Sequence, residues 1–147
     1  MVINQEDVRL FLVDYPESND LLDKEEFSSK RIEAAIAFTV DRFNDESPQT
    51  LYLPDNFPFR YILLVGTVIH LLKSEIAFAS RNRLPYQDGQ FAIDDKAKVD
   101  SYRAIISQLE PDFKKSIEDK KVELNANAGW SSISSPFSSY VIDHRRF

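Results

Sequence analysis

Apolar residues recur at helical spacing in several stretches of this 147-residue chain, and each stretch stops at a cluster of proline, asparagine or acid. Near the amino end, Asn4 is placed to cap a short helix from about Gln5 to Val13, with Val8, Leu12 and Phe11 facing inward, before "DYPESND" breaks it. Asp23 followed three residues later by Glu26 has the form of a capping box. Ile32, Ala35, Ile36, Thr39, Val40 and Phe43 then follow on one face, which predicts a helix over roughly 24–45. "PQTLYLPDNFPF" holds three prolines in twelve residues and reads as an extended connector, with Leu51, Tyr52, Leu53, Phe57 and Phe59 as its anchors.

From Tyr61 to Leu72, "YILLVGTVIHLL" is apolar nearly all round, the pattern of a helix that is buried on every side or lies in a membrane. A span needs about 20 apolar residues. The run meets Lys73 and Glu75 after twelve residues, so a core helix continuing to about Asn82 is expected. A glycine in mid-helix costs about 1 kcal/mol relative to alanine, so Gly66 implies a close helix crossing, and Thr67 is placed to hydrogen-bond back onto its own helix or to fill a gap. The last helix is expected to start at Asp94 or Asp95, with Val99, Tyr102, Ile105, Ile106, Leu109, Phe113, Ile117 and Leu124 on one stripe. The stripe keeps its phase across Pro111, which predicts a kinked helix or two abutting helices. "LNANAGW" is expected to end it, with Asn127 or Gly129 as a left-handed cap.

The fold class is therefore all-α: a small helical bundle with long extended loops. The organisation is one helical domain over 1–129 and an extended arm over 130–147. Six serines between 131 and 139 alternate with Trp130, Ile133, Phe137 and Tyr140, a spacing that suits an arm laid on a surface with its apolar groups in pockets. Whether that surface is a partner, a neighbouring copy or the chain's own core stays open at this point. The second irregular segment, "SRNRLPYQDGQ" at 80–90, leaves the apolar helix through two arginines and contains Asp88-Gly89. That pair favours a tight turn, and Phe91 and Ile93 beyond it suit a short β-hairpin near 84–94. Arg81 and Arg83 have two readings: capping the carbonyl end of the helix, or pairing with carboxylates of a neighbouring subunit.

Composition narrows the chemistry. The chain has no cysteine, which excludes disulfides and thiolate chemistry. Its two histidines, His70 in the apolar run and His144 near the carboxyl end, lack partners at the spacing of helical metal sites, and His70 reads as a core histidine. Three glycines cannot build a phosphate cradle, and no nucleophile elbow or dinucleotide fingerprint occurs. No catalytic, cofactor or metal residue is assigned. The amino end lacks the basic and apolar regions of a secretory signal, so cytosolic synthesis is expected. Net charge is -6, unevenly spread: residues 1–47 hold 12 acids and 5 bases, or -7, and the rest is +1. Such an acidic face repels a phosphate backbone and suits a surface that DNA slides past, or a plain solvated face.

"YPESNDLL", "FSSKRIEAAIAFTVDRFND", "NFPFRYILLVGTVIHLLKSE", "RNRLPYQDG" and "NAGW", in this order, resemble the small helical head-tail connector proteins of tailed bacteriophages, the adaptor or head-completion proteins that ring the portal. The shared features are the "NFP", the "GT" within the apolar helix, "RN", "DG" and the late "GW". Two positions depart from the pattern: Gln90 follows Gly89 and Ser131 follows Trp130 where the family would carry glycine. The resemblance implies a structural virion protein of the neck, forming a ring of twelve copies between portal and tail. Its partners would be the portal protein, tail or neck proteins and itself, with DNA only as passing cargo and no membrane, enzymatic activity or cofactor. On this reading Arg81, Arg83, Tyr86, Asp88, Gly89 and Phe91 reach an adjacent subunit. Trp130, Ile133, Phe137, Tyr140, Arg145, Arg146 and Phe147 clasp the portal or a neighbour. The alternatives are a tail-completion protein on the tail side and a small cytosolic helical enzyme or regulator.

Overall fold

The computed structural model describes residues 3–19, 24–81 and 95–131, the side chains of 95, 96, 130 and 131 excepted. These residues form four α-helices, α1 (Gln5–Leu12), α2 (Ser29–Asp45), α3 (Arg60–Arg81) and α4 (Asp95–Ser131), with one turn of 3-10 helix at Pro16–Ser18 and no strand among them. The loop at 82–94, with the hairpin expected there, and the segment 132–147 lie outside the described residues.

α3 is the hub, packed against each of the other three helices. Nine of its residues between Ile62 and Leu72 are buried. α3 runs to Arg81, and an 18-residue stretch of it, half of it buried inside the protein, has a mean hydropathy of 1.7, enough to cross a membrane by length and composition. Counting only as far as Leu72 understates it. Its polar positions near the far end pair with the other helices: Lys73 with Glu110 of α4 at 2.9 Å and Glu75 with Arg31 of α2 at 2.9 Å.

The α2 stripe is buried as its spacing predicts, all six residues from Ile32 to Phe43. The helix starts later than expected, at Ser29 with Ser28 as N-cap, because the preceding residues are engaged elsewhere. The backbone N–H groups of Glu26 and Phe27 donate to the Asp14 carboxylate at 2.6 and 3.0 Å, and the Glu26 side chain meets Lys98 and Tyr102 of α4, so it serves no capping box. The box that does form belongs to α1: the Asn4 side chain accepts from Asp7 N–H at 2.8 Å and Asn4 N–H donates to the Asp7 carboxylate at 2.9 Å.

α1 corrects the expected inward face. Val8 and Arg9 are buried and Phe11 is 47 % exposed. Arg9 is turned in by two carboxylates, Asp14 at 3.1 Å and Glu25 at 2.8 Å. Asp14 collects Arg9, the Asn19 amide at 2.9 Å and the two backbone N–H groups, so this buried charge is fully compensated. To bring Asp14 there the chain leaves α1 through Val13 at φ 55, the left-handed region that β-branched residues avoid.

α4 is one continuous helix of 37 residues through Pro111, about 55 Å at 1.5 Å per residue. Pro111 is exposed, so the intrahelical bond that it cannot donate is lost on the wet side, and Ile106, Phe113 and Ile117 stay buried on the other. Ile105, expected in the stripe, is 41 % exposed. The helix does not stop at "LNANAGW": it passes Asn127 and Gly129 and ends at Ser131, so neither residue is a left-handed cap. Trp130, which the sequence marks as the first residue of the arm, is helical in its backbone.

α2, α3 and α4 converge at Gly66. A Cβ built there would press on Thr39 Cγ2 and lie 2.8 Å from Phe113 Cε2 and Cζ. The close crossing inferred from the glycine is therefore present. Thr67 hydrogen-bonds back to Leu63 O at 2.7 Å, as expected, and Thr39 does the same to Ala35 O.

Candidate functional site

The residues singled out by sequence fall mostly outside the described residues. Arg83, Tyr86, Asp88, Gly89, Phe91, Ile133, Phe137, Tyr140, Arg145, Arg146 and Phe147 are there, and the Trp130 side chain with them. Arg81 is described. It is exposed, closes α3 as the basic residue of the last turn, and has no ion-pair partner among the described residues. That position suits the helix dipole.

The described residues offer three surfaces that the pattern did not point to. The first is the connector between α2 and α3, held from both sides. The Asn44 side chain accepts from Tyr52 N–H at 3.0 Å and from Thr50 Oγ1 at 2.9 Å, and donates to Tyr52 O at 2.8 Å. From α4 the buried Lys121 ammonium donates to Pro48 O at 2.8 Å and Thr50 Oγ1 at 3.0 Å, over the Phe43 ring at 4.3 Å. Burial pushes the Lys121 pKa down, opposed by Glu46. Below the loop Phe43, Tyr52, Phe57 and Phe59 form a cluster with centroids 5.1 to 6.0 Å apart, several of them edge to face. Tyr52, Phe57 and Phe59 are the anchors expected of this segment. Leu51 and Leu53 are not: alternation along an extended backbone sends them outward, and they are 97 % and 64 % exposed. The connector is thus a fastened loop that presents two leucines to solvent.

The second surface is a groove between α2 and α3, about 370 Å³, lined by Arg31, Ala34, Ala35, Phe38, His70, Leu71, Lys73 and Ser74. Phe38 is 59 % exposed and leans on the His70 ring at 6.1 Å between centroids. Burial, then the charges of Arg42 and Lys73, push the His70 pKa down, and its buried Nε2 has no hydrogen-bond partner among the described residues. His70 is thus half-buried at the edge of the core.

The third is a cleft of about 410 Å³ where α4 begins, lined by Lys24, Glu25, Glu26, Arg31, Glu75, Phe78, Ala79, Lys98, Val99 and Tyr102. Its charges answer one another. Glu26 takes Lys98 and the Tyr102 hydroxyl, and Arg31 takes Glu75. Burial and the bond to Glu26 push the Tyr102 pKa well up, so the hydroxyl stays protonated and donates. This cleft welds the start of α4 onto α2 and α3. No three acidic, histidine or cysteine side chains among the described residues are grouped to hold a metal.

Comparison of the chain with protein-family models, with curated proteins and with solved structures finds no match.

Proposed function

We propose that this protein is a structural subunit of a tailed-bacteriophage neck, one copy in a ring that joins the portal to the tail and lets DNA pass through its lumen. The ordered motifs from "YPESNDLL" to "NAGW" carry this reading, and the positions they mark have structural reasons to be as they are. Gly66, in the "GT" pair, lies at the crossing of three helices. "NFP" brings Phe57 into the aromatic cluster at the mouth of α3. α4 carries the chain past the core, since residues 125–129 are exposed. The acidic first third, at -7, suits a wall that does not hold DNA.

The ring takes twelve copies, with portal and tail or neck proteins on its two faces. The segment from Ile133 to Phe147 attaches to the portal or to a neighbouring subunit. A particle reconstruction tests the reading directly, with density for α1–α4 expected in the neck as a closed ring. Density on the tail side alone would replace the connector with a tail-completion protein, and absence from the particle would overturn both. Deleting residues 132–147 is expected to leave the helical circular dichroism unchanged and to abolish portal attachment. A truncated chain that still binds portal rings would remove the arm from the account.

A further inference from the structure

The outward leucines lie at one end of the α2–α3 helix pair, and the groove lies along the pair from its middle towards the other end. α2 and α3 run antiparallel, with Phe43 beside Phe57 and Phe59 at one end and Arg31 beside Glu75 at the other. Leu51 and Leu53 project from the connector at the first end. The groove opens around Ala34, Phe38 and Leu71, about 10–16 Å along α2 from its carboxyl end at 1.5 Å per residue. The chain therefore carries an apolar knob and an apolar hollow on two different patches. Such a pair makes a heterologous contact, which closes into a ring or runs on as a filament according to the rotation between copies.

The charges match as well. Asp45, Glu46 and Asp55 precede and follow the leucines and are exposed; Glu46 acts on the Lys121 charge, and Asp45 and Asp55 have no ion-pair partner among the described residues. The groove is edged by the partly exposed cations Arg31 and Lys73, and no carboxylate lines it among the described residues. Each cation already faces one carboxylate of its own chain, so the added attraction steers and orients the contact while the leucines and Phe38 supply the buried apolar area. The knob is also fixed before it binds. Asn44, Lys121 and the aromatic cluster hold its backbone, which lowers the ordering cost of association.

We propose that Leu51 and Leu53 of one copy seat in the α2–α3 groove of the next, beside Phe38 and between Arg31 and Lys73, as the head-to-tail contact between subunits. The neck reading supplies the use of this contact, while the contact itself stands on the two patches.

Because the chain has no cysteine, disulfide trapping tests it without background. Three variants of the full chain are oxidised mildly and run on a non-reducing gel: Leu51→Cys, Ala34→Cys, and the two together. Ala34 and Leu51 are both exposed, so circular dichroism and Tm are expected to stay at the wild-type values. The double variant is expected to give a ladder of dimers, trimers and higher species, and each single variant only monomer. Adding Leu53→Ser to the double variant is expected to remove the ladder. A double variant that remains monomeric overturns the proposal. So does Leu51→Cys dimerising as fully on its own, which would mean that the tips meet each other. A ladder from a protein absent from the particle neck would leave this contact standing and remove the neck reading.

Discussion

A methyl group added at position 66 tests how tightly the three helices cross. In isolation Gly66→Ala favours the helix by about 1 kcal/mol. Here the new Cβ is driven against Thr39 Cγ2 and 2.8 Å from two Phe113 ring carbons, and Thr39 and Phe113 are both fully buried, with the Arg42 guanidinium over the ring at 5.0 Å. Forcing extra volume into such a site costs about 1–3 kcal/mol. Two unyielding neighbours put this site at the upper end, and after the propensity gain about 1–2 kcal/mol of destabilisation remains. For a domain of this size that is a fall in Tm of roughly 2–8 °C by thermal circular dichroism. The cause is isolated by repeating the change in Thr39→Ser, which removes Cγ2 and keeps the hydroxyl bond to Ala35 O. There Gly66→Ala is expected to cost about 1 kcal/mol less, a coupling typical of residues in contact. A Tm for Gly66→Ala at or above the wild-type value, with no coupling to residue 39, would refute the crossing geometry.

Lys121→Met keeps the buried stem and removes the ammonium from Pro48 O and Thr50. Denaturant titration at neutral pH is expected to show a loss of about 1–2 kcal/mol, since the lost bonds outweigh the relieved desolvation. The folded pKa of Lys121 lies below its unfolded value of 10.5, so the unfolded chain binds the proton more tightly. The wild-type advantage over Lys121→Met should therefore widen as pH climbs through the folded pKa towards 10.5. Tyr102 acts with the opposite sign: its pKa is raised above 10.0, so its contribution is intact below pH 10 and lost as pH rises through the folded value. Above pH 10 the wild type should lose stability more steeply than Tyr102→Phe in parallel denaturant titrations. Val13→Asn should raise stability by about 1 kcal/mol, because asparagine tolerates the left-handed backbone and the Val13 side chain is 58 % exposed. An unchanged or lower Tm would mean that Val13 bears no strain.

The helices were legible where one physical rule governs. Ile32 to Phe43 bury together because a period of 3.6 sets one face of α2, and Gly66 signals a crossing because only close approach offsets its cost in a helix. The errors came where tertiary partners override the local signal. Glu26 looks like a capping residue until Lys98 and Tyr102, more than seventy positions away, take its carboxylate. Arg9 displaces Phe11 from the inner face because Asp14 and Glu25 wait there. Apolar character alone makes all five connector residues look like anchors, but an extended backbone alternates, and two of the five face out. Nothing local marks Lys121 as buried. Its seat is a carbonyl and a hydroxyl more than seventy residues earlier.

The length of α4 has a mechanical consequence. Its last ten residues lie beyond Lys121, yet they belong to one rod that is bolted to the body at Phe113, Ile117 and Lys121. Load applied at Ser131 therefore arrives at two places, the crowded joint at Gly66 and the lysine that braces Pro48 and Thr50, the residues leading into Leu51. A pull on the last turn of α4 is in this way felt at the leucine tip, because one continuous helix joins Ser131 to the lysine that holds the connector.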